Sequence, residues 1–99
     1  MPRSTAVVRT EAPARYAKQL LSHLGRKVAV EDVEGVPHAR RLVFGYGAGV
    51  VRPEAGELVL EAVAPDLESL TRVEDVLARH LQRFGQRAEL TVSWHRAAG

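Results

Sequence analysis

Residues 57–85 decide the fold, and they read ELVLEAVAPDLESLTRVEDVLARHLQRFG. The first seven residues are rich in Val and Leu, as in a β-strand. Beyond Ala64-Pro65-Asp66 the apolar residues recur at the spacing of one helix face, namely at Leu67, Leu70, Val73, Leu77, Leu81 and Phe84. Asp66 is a suitable N-cap and Gly85 a suitable stop. The stretch therefore predicts a strand over 57–63 and an amphipathic helix over 67–84.

The N-terminal part of the chain repeats this order of strand and helix. Residues 5–9 read as a short strand, and Thr10 is expected to cap a helix over residues 11–24. Pro13 is tolerated in the first helical turn, and Gly25 is expected to end the helix in the left-handed conformation. A second strand follows over residues 26–32, and Glu34-Gly35 turns the chain.

The centre of the chain leaves the number of strands open. Residues 40–44 and 48–52 are two extended runs separated by Gly45-Tyr46-Gly47. If the glycines only bend one long strand, three strands separate the helices, which then run parallel. If the glycines form a hairpin turn, four strands separate the helices, which then run antiparallel. A turn is expected over residues 53–56 in either case.

The last strand pattern covers residues 88–95, in which Leu90, Val92 and Trp94 alternate with polar residues. Such alternation indicates a strand buried on one face, so Trp94 is expected in the core. The sequence thus predicts one α+β domain over residues 1–99. Its expected architecture is a two-layer sandwich, with an antiparallel sheet of five to six strands and two helices packed on one face. The expected order is β-α-β-β-(β)-β-α-β.

Composition narrows the functional classes. The 99 residues include no cysteine and carry a formal net charge of only +2, which gives little support to nucleic-acid binding. No apolar run approaches the roughly 20 residues that span a bilayer, so no membrane association is expected. A cysteine-free chain without a leader pattern is expected to be cytoplasmic.

Two motifs on the predicted helices carry a family resemblance. They are Arg15-Tyr16-Ala17-Lys18-Gln19-Leu20 and His80-Leu81-Gln82-Arg83-Phe84, with Trp94 near the end of the chain. With them, almost the whole chain resembles the bacterial domain of unknown function 2218 family (DUF2218). That resemblance implies no established activity. Similar domains occur attached to or near siderophore-interacting, flavin-binding reductases, which implies an accessory role in iron handling. The sequence departs from the family pattern over residues 84–89, just after the second helix.

His23 and His80 are the first candidates for a site, because imidazole titrates near neutral pH. Each can instead donate a hydrogen bond to a backbone carbonyl and simply pack its ring. Parallel helices would bring both histidines to one end of the domain, together with Arg83. Antiparallel helices would hold them roughly 20 Å apart at 1.5 Å per residue.

Basic residues around these histidines are candidates for binding phosphate or carboxylate groups. The candidate ligand-binding residues are His23, His80, Arg83, Arg15, Lys18 and Lys27. Arg26, Arg79 and Arg87 belong to the same cationic tendency, and a solvated helix end is the alternative interpretation. No catalytic residue is assigned, no histidine spacing indicates a metal site, and no cofactor is indicated.

These observations favour a non-enzymatic accessory module that binds a protein partner or a small anionic ligand. The alternatives are a small enzyme that uses a helix histidine as general base, and a nucleic-acid-binding domain. The edges of the sheet offer a route to a dimer.

Overall fold

Six antiparallel strands and two helices form the fold in a computed structural model that describes residues 1–85 and 90–97. The elements in chain order are β1 (Arg3–Arg9), α1 (Pro13–Leu24), β2 (Ala29–Val33), β3 (Val36–Phe44), β4 (Gly47–Glu54), β5 (Glu57–Val63), α2 (Leu67–Phe84) and β6 (His95–Arg96). The strands lie in the order β2-β3-β4-β5-β1-β6, and each pair of neighbours is antiparallel. The predicted α+β sandwich is confirmed.

The hydrophobic core lies between the helices and one face of the sheet. Helix α1 packs on β3, β4 and β5, and α2 packs on β4 and β5. On β1 only the alternate residues Ser4, Ala6 and Val8 are buried, because successive side chains of a strand point to opposite faces. The helices contribute Leu20 and Leu24 from α1 and Leu70, Val73, Leu77 and Leu81 from α2.

The connection between β3 and β4 is a hairpin turn at residues 45–46, which settles the strand count at four between the helices. Its register begins with Phe44 opposite Gly47. A Cβ atom on Gly47 would lie 2.6 Å from the Val63 carbonyl oxygen and 2.9 Å from Val73 Cγ2. Gly47 therefore lets β4 approach both β5 and α2 closely.

We expect Gly47→Ala to lower the free energy of unfolding by at least about 1 kcal/mol, because the backbone of β5 cannot yield to the new methyl group. Gly45→Ala is the matched control, since nothing lies within 4 Å of its added Cβ. Urea denaturation of both variants measures the difference. Equal stability of the two would contradict the close approach at Gly47.

The first helix begins later than predicted. Ala12 is the residue before its first turn, Pro13 stands at the start, and the Thr10 Oγ1 atom accepts a hydrogen bond from the Ala12 N–H rather than capping the helix. Gly25 has φ −63°, so the predicted left-handed stop is wrong. The chain instead continues turning, because the N–H groups of Lys27 and Val28 both donate to the Leu24 carbonyl. Strand β2 consequently starts only at Ala29.

The second helix and its N-cap are confirmed. Helix α2 spans Leu67–Phe84, and the Asp66 side chain accepts a hydrogen bond from the Ser69 N–H, at 2.7 Å. The turn predicted over residues 53–56 narrows to Ala55 and Gly56, where Gly56 takes a φ of 72°.

The C-terminal strand is much shorter than predicted. Only His95 and Arg96 pair with β1, opposite Thr5 and Ser4, and residues 88–89 lie outside the described part of the chain. Leu90, Val92 and Trp94 are half-buried and pack against the core rather than belonging to it. Burial of alternate side chains does not require a hydrogen-bonded ladder, so the pattern predicted the buried side correctly and the strand incorrectly.

Candidate anion-binding site

Two histidines meet where the C-terminal parts of the helices touch. The ring centroids of His23 on α1 and His80 on α2 lie 5.1 Å apart with planes tilted by 47°. Phe84 places its ring edge-on to His23 at 5.5 Å. The separation of roughly 20 Å expected for a hairpin at residues 45–46 is therefore wrong. The helices contact each other at these ends. The packing of the two helices therefore sets the distance between the histidines, and the number of strands between the helices does not.

The His80 ring has a fixed orientation. Its Nδ1 atom lies 2.7 Å from the Val76 carbonyl oxygen one turn earlier in α2. A carbonyl oxygen can only accept, so Nδ1 carries the proton that is donated. The Nε2 atom of the neutral ring therefore keeps its lone pair, and becomes a donor when the ring is protonated.

A concavity of about 330 Å³ opens beside His23, along α1 and against Phe84 at the end of α2. Among the described residues, His80 contacts the His23 ring rather than lining the concavity itself. The lining of the concavity combines polar, basic and aromatic side chains, namely Lys18, Gln19, Ser22, His23, Arg26 and Phe84. Among the described residues, no carboxylate belongs to this lining. The Gln19 Oε1 atom is buried and has no hydrogen-bond partner among the described residues, so the wall includes an unsatisfied acceptor.

The electrostatics of the site are dominated by positive charge. The pKa of His23 is lowered, first by partial desolvation and then by the positive charges of His80, Arg26, Lys27 and Arg83. His23 is therefore mainly neutral at neutral pH. Within residues 1–85 and 90–97, neither Arg26, Lys27 nor Arg83 forms an ion pair with a carboxylate. The cluster lacks a countercharge from the described chain.

Most of the candidate ligand-binding residues lie near His23, and Arg15 lies apart from them. His23 and His80 contact each other through their rings, and Lys18 and His23 line the concavity. Lys27 and Arg83 lower the pKa of His23 through their positive charge. Arg15 is two turns earlier on α1, about 12 Å from His23 along the helix axis, and it does not line the concavity.

Arg79, another arginine of the cationic tendency, does not join this group. Arg79 pairs instead with Asp75 at 3.1 Å. Arg87 lies outside the described residues.

Three lining residues are absent from the candidates that the sequence predicts, namely Gln19, Ser22 and Phe84. Gln19 stands four residues before His23, and Phe84 stands four residues after His80. Residues at this spacing share one side of a helix, which was the available signal. Phe84 was instead assigned to the core on its apolar character, because the position at which α1 meets α2 is not visible in either helix alone.

The arrangement is suited to holding an anion. Arginine and lysine donate charge-assisted hydrogen bonds to carboxylate, sulfate or phosphate oxygens, and a protonated histidine adds another donor. Over the described residues, no three His, Asp or Glu side chains converge as a set of metal ligands.

The fold and the site together define a small α+β domain in which two helix ends enclose a cationic concavity over an antiparallel sheet. Residues 5–95 match the family described as "Uncharacterized protein conserved in bacteria (DUF2218)", and the chain belongs to this family. It is also similar to PA4090 from Pseudomonas aeruginosa, whose NMR structure superposes with a TM-score of 0.77 at 34% identity over 96% of each chain. No curated protein matches the chain. Over the described residues, no helix is both long and apolar enough to cross a membrane.

Proposed function

We propose that this domain is a non-enzymatic accessory module that binds a small anionic ligand between the ends of α1 and α2. The observation that supports the proposal most directly is the contact between the His23 and His80 rings, at 5.1 Å, amid basic side chains. Like charges that lie close together repel one another, and no carboxylate of the described residues pairs with Arg26, Lys27 or Arg83. A bound anion relieves that repulsion, which gives the concavity its ligand class.

An anion bound here also changes the protonation state of His23. In the free protein the pKa of His23 is lowered, first by partial desolvation and then by the neighbouring positive charges. A bound anion favours the charged ring and raises that pKa. Binding therefore takes up a proton, and the affinity is expected to rise as the pH falls.

The biological process in which the ligand takes part is inferred from the family resemblance and not from the geometry of the site. The resemblance suggests iron or siderophore handling, and the absence of cysteine from the sequence suits action in the cytoplasm. The side chains themselves specify only an anion that fits a concavity of about 330 Å³.

Sulfate is a suitable probe, because its charge does not change between pH 5 and pH 8. We expect Arg83→Gln to weaken sulfate binding about tenfold, which corresponds to about 1.4 kcal/mol. The matched control is Arg79→Gln, four residues earlier on α2, where the arginine is occupied by Asp75. NMR titration of the histidine ring resonances measures both affinities and locates the bound ion.

The pH dependence provides the second readout. Sulfate affinity is expected to increase as the pH falls through the raised pKa of His23 in the complex, and to level off below the lowered pKa in the free protein. His23→Gln should reduce this dependence. The proposal fails if sulfate leaves both histidine rings unperturbed, or if the two arginine variants lose affinity equally.

A further inference from the structure

A second concavity, of about 480 Å³, lies on the opposite flank of α1, where the helix meets β2 and β3. Its floor is apolar and is built from Ala14, Ala17, Leu21, Val30, Pro37 and Pro53. Lys18 and Ser22 line both concavities, so they form the ridge of α1 that separates this groove from the histidine site. The two concavities are therefore neighbours that share this ridge.

The groove exists because the helices do not extend over the whole sheet. Helix α1 packs mainly on β3, β4 and β5, and the edge strand β2 makes little contact with either helix. Val30 of β2 pairs with the fully buried Leu42, so it faces the helix layer, yet 42% of its surface is exposed. An apolar side chain on the inner face of the sheet is thus open to solvent.

The ionisable side chains among the described lining residues are all basic, namely Lys18, His38 and Arg40. They differ in whether they already have a partner within the protein. Arg40 pairs with Asp32 at 3.4 Å and donates to the carbonyl oxygens of Pro37 and Ala39. His38 is held by Glu54 at 2.6 Å. Lys18 has no ion pair with a carboxylate in the described part of the chain, and its ammonium group is free to bind an anion.

The geometry points to a small amphiphilic carboxylate as the occupant, with its apolar body on the floor and its carboxylate at Lys18. The volume falls within the range of roughly 300–1,000 Å³ that is typical of small-molecule sites. The wall formed by residues 14–22 is about 12 Å long. A stable protein partner needs roughly 800 Å² on each side, more than this groove offers, whereas a medium-length acyl chain matches its length.

Decanoate is the probe for this groove, and decan-1-ol is the uncharged control with the same apolar body. We expect decanoate to shift the backbone amide resonances of Ala17, Leu21 and Val30, and to bind at least about tenfold more tightly than decan-1-ol. Lys18→Gln should remove that preference for the carboxylate without weakening decan-1-ol.

Val30→Asp is expected to weaken decanoate binding at least about tenfold, because it places a like charge on the apolar floor. Val7→Asp is the matched control. Val7 is also an exposed strand valine, at 48%, and it lies on the opposite face of the sheet. Ala14→Glu tests the same floor at an exposed helical position, should Val30→Asp destabilise the fold.

Three results would overturn the inference. They are resonance shifts confined to other surfaces, binding only at concentrations at which decanoate aggregates, and equal losses in Val30→Asp and Val7→Asp. His80→Gln separates the two proposals, since it should weaken sulfate binding at the histidine site and leave decanoate binding unchanged.

Discussion

Leu77→Ala is expected to lower the free energy of unfolding by about 3 kcal/mol, the largest effect we predict for a single substitution. Leu77 is fully buried on α2, and its Cδ1 atom would lie 2.8 Å from a Cβ placed on Gly49 of β4. The leucine methyl groups therefore rest directly on the backbone of the strand. Since Gly49 has no side chain that can move into the space, truncation leaves a cavity.

Chemical denaturation measures this loss, and Leu67→Ala provides the control on the same helix. Leu67 is 60% exposed, so its truncation should change the stability by less than about 0.5 kcal/mol. The dependence of the unfolding free energy on urea concentration should be unchanged in both variants. Similar losses at the two positions would show that Leu77 does not fill the space above Gly49.

Ser4→Ala is expected to cost about 2 kcal/mol, because it removes a hydrogen bond to a buried charge. The Ser4 Oγ–H donates to Glu74 Oε2 at 2.6 Å, and both side chains are buried. Arg96 of β6 supplies the opposing charge, with Nη2 at 2.9 Å from Glu74 Oε1. Without Ser4, the Oε2 atom of a mostly buried carboxylate loses a donor and keeps only the longer bond from Arg96 Nε, at 3.3 Å.

The pH dependence identifies Glu74 as the group involved. Burial raises the pKa of Glu74, but hydrogen bonds from Arg96 and Ser4 and the charge of Arg96 outweigh that effect and lower it below the usual value. The ionised form is thus favoured by folding, and its stabilisation is present above the unfolded pKa and lost as the pH falls through the folded pKa. The difference between Ser4→Ala and the unchanged protein should shrink over the same range.

Thermal or urea denaturation between pH 3 and pH 7 tests this expectation. Ser93→Ala is the control, since Ser93 is exposed and lies outside any strand, and it should have almost no effect at any pH. A Ser4→Ala loss that stays constant down to pH 3 would exclude the ionised Glu74 as its cause.

The elements of the fold were predictable to different degrees, for identifiable reasons. Helix α2 was correct to the residue, because Asp66, the apolar periodicity and Gly85 all indicate the same boundaries. Helix α1 began two residues late, because Pro13 starts helices readily and Thr10 bonded to the Ala12 N–H instead. For the strand predicted over residues 88–95, the structure shows β-pairing only at His95 and Arg96 among the described residues. Alternation of apolar and polar residues indicates which side chains are buried, but it does not indicate a hydrogen-bonded neighbouring strand.

The candidate site was predictable in composition and unpredictable in geometry. His23, His80, Lys18, Lys27 and Arg83 were selected from the sequence, and the structure groups them. Their separation could not be derived, because it depends on where α1 and α2 touch. Strand counting gave an estimate of roughly 20 Å, against an observed distance of 5.1 Å between the ring centroids.

The sequence by itself determined which segments form helices, which faces are apolar, and that these faces close one two-layer domain. Those properties follow from local periodicity and turn chemistry, which act within a few residues along the chain. Only the tertiary structure decided that the helix ends meet at the histidine pair and that Glu74 bonds to both Ser4 and Arg96. It also decided that α1 covers only part of the inner face of β2. These features depend on contacts between residues far apart in the chain, and no local pattern encodes them.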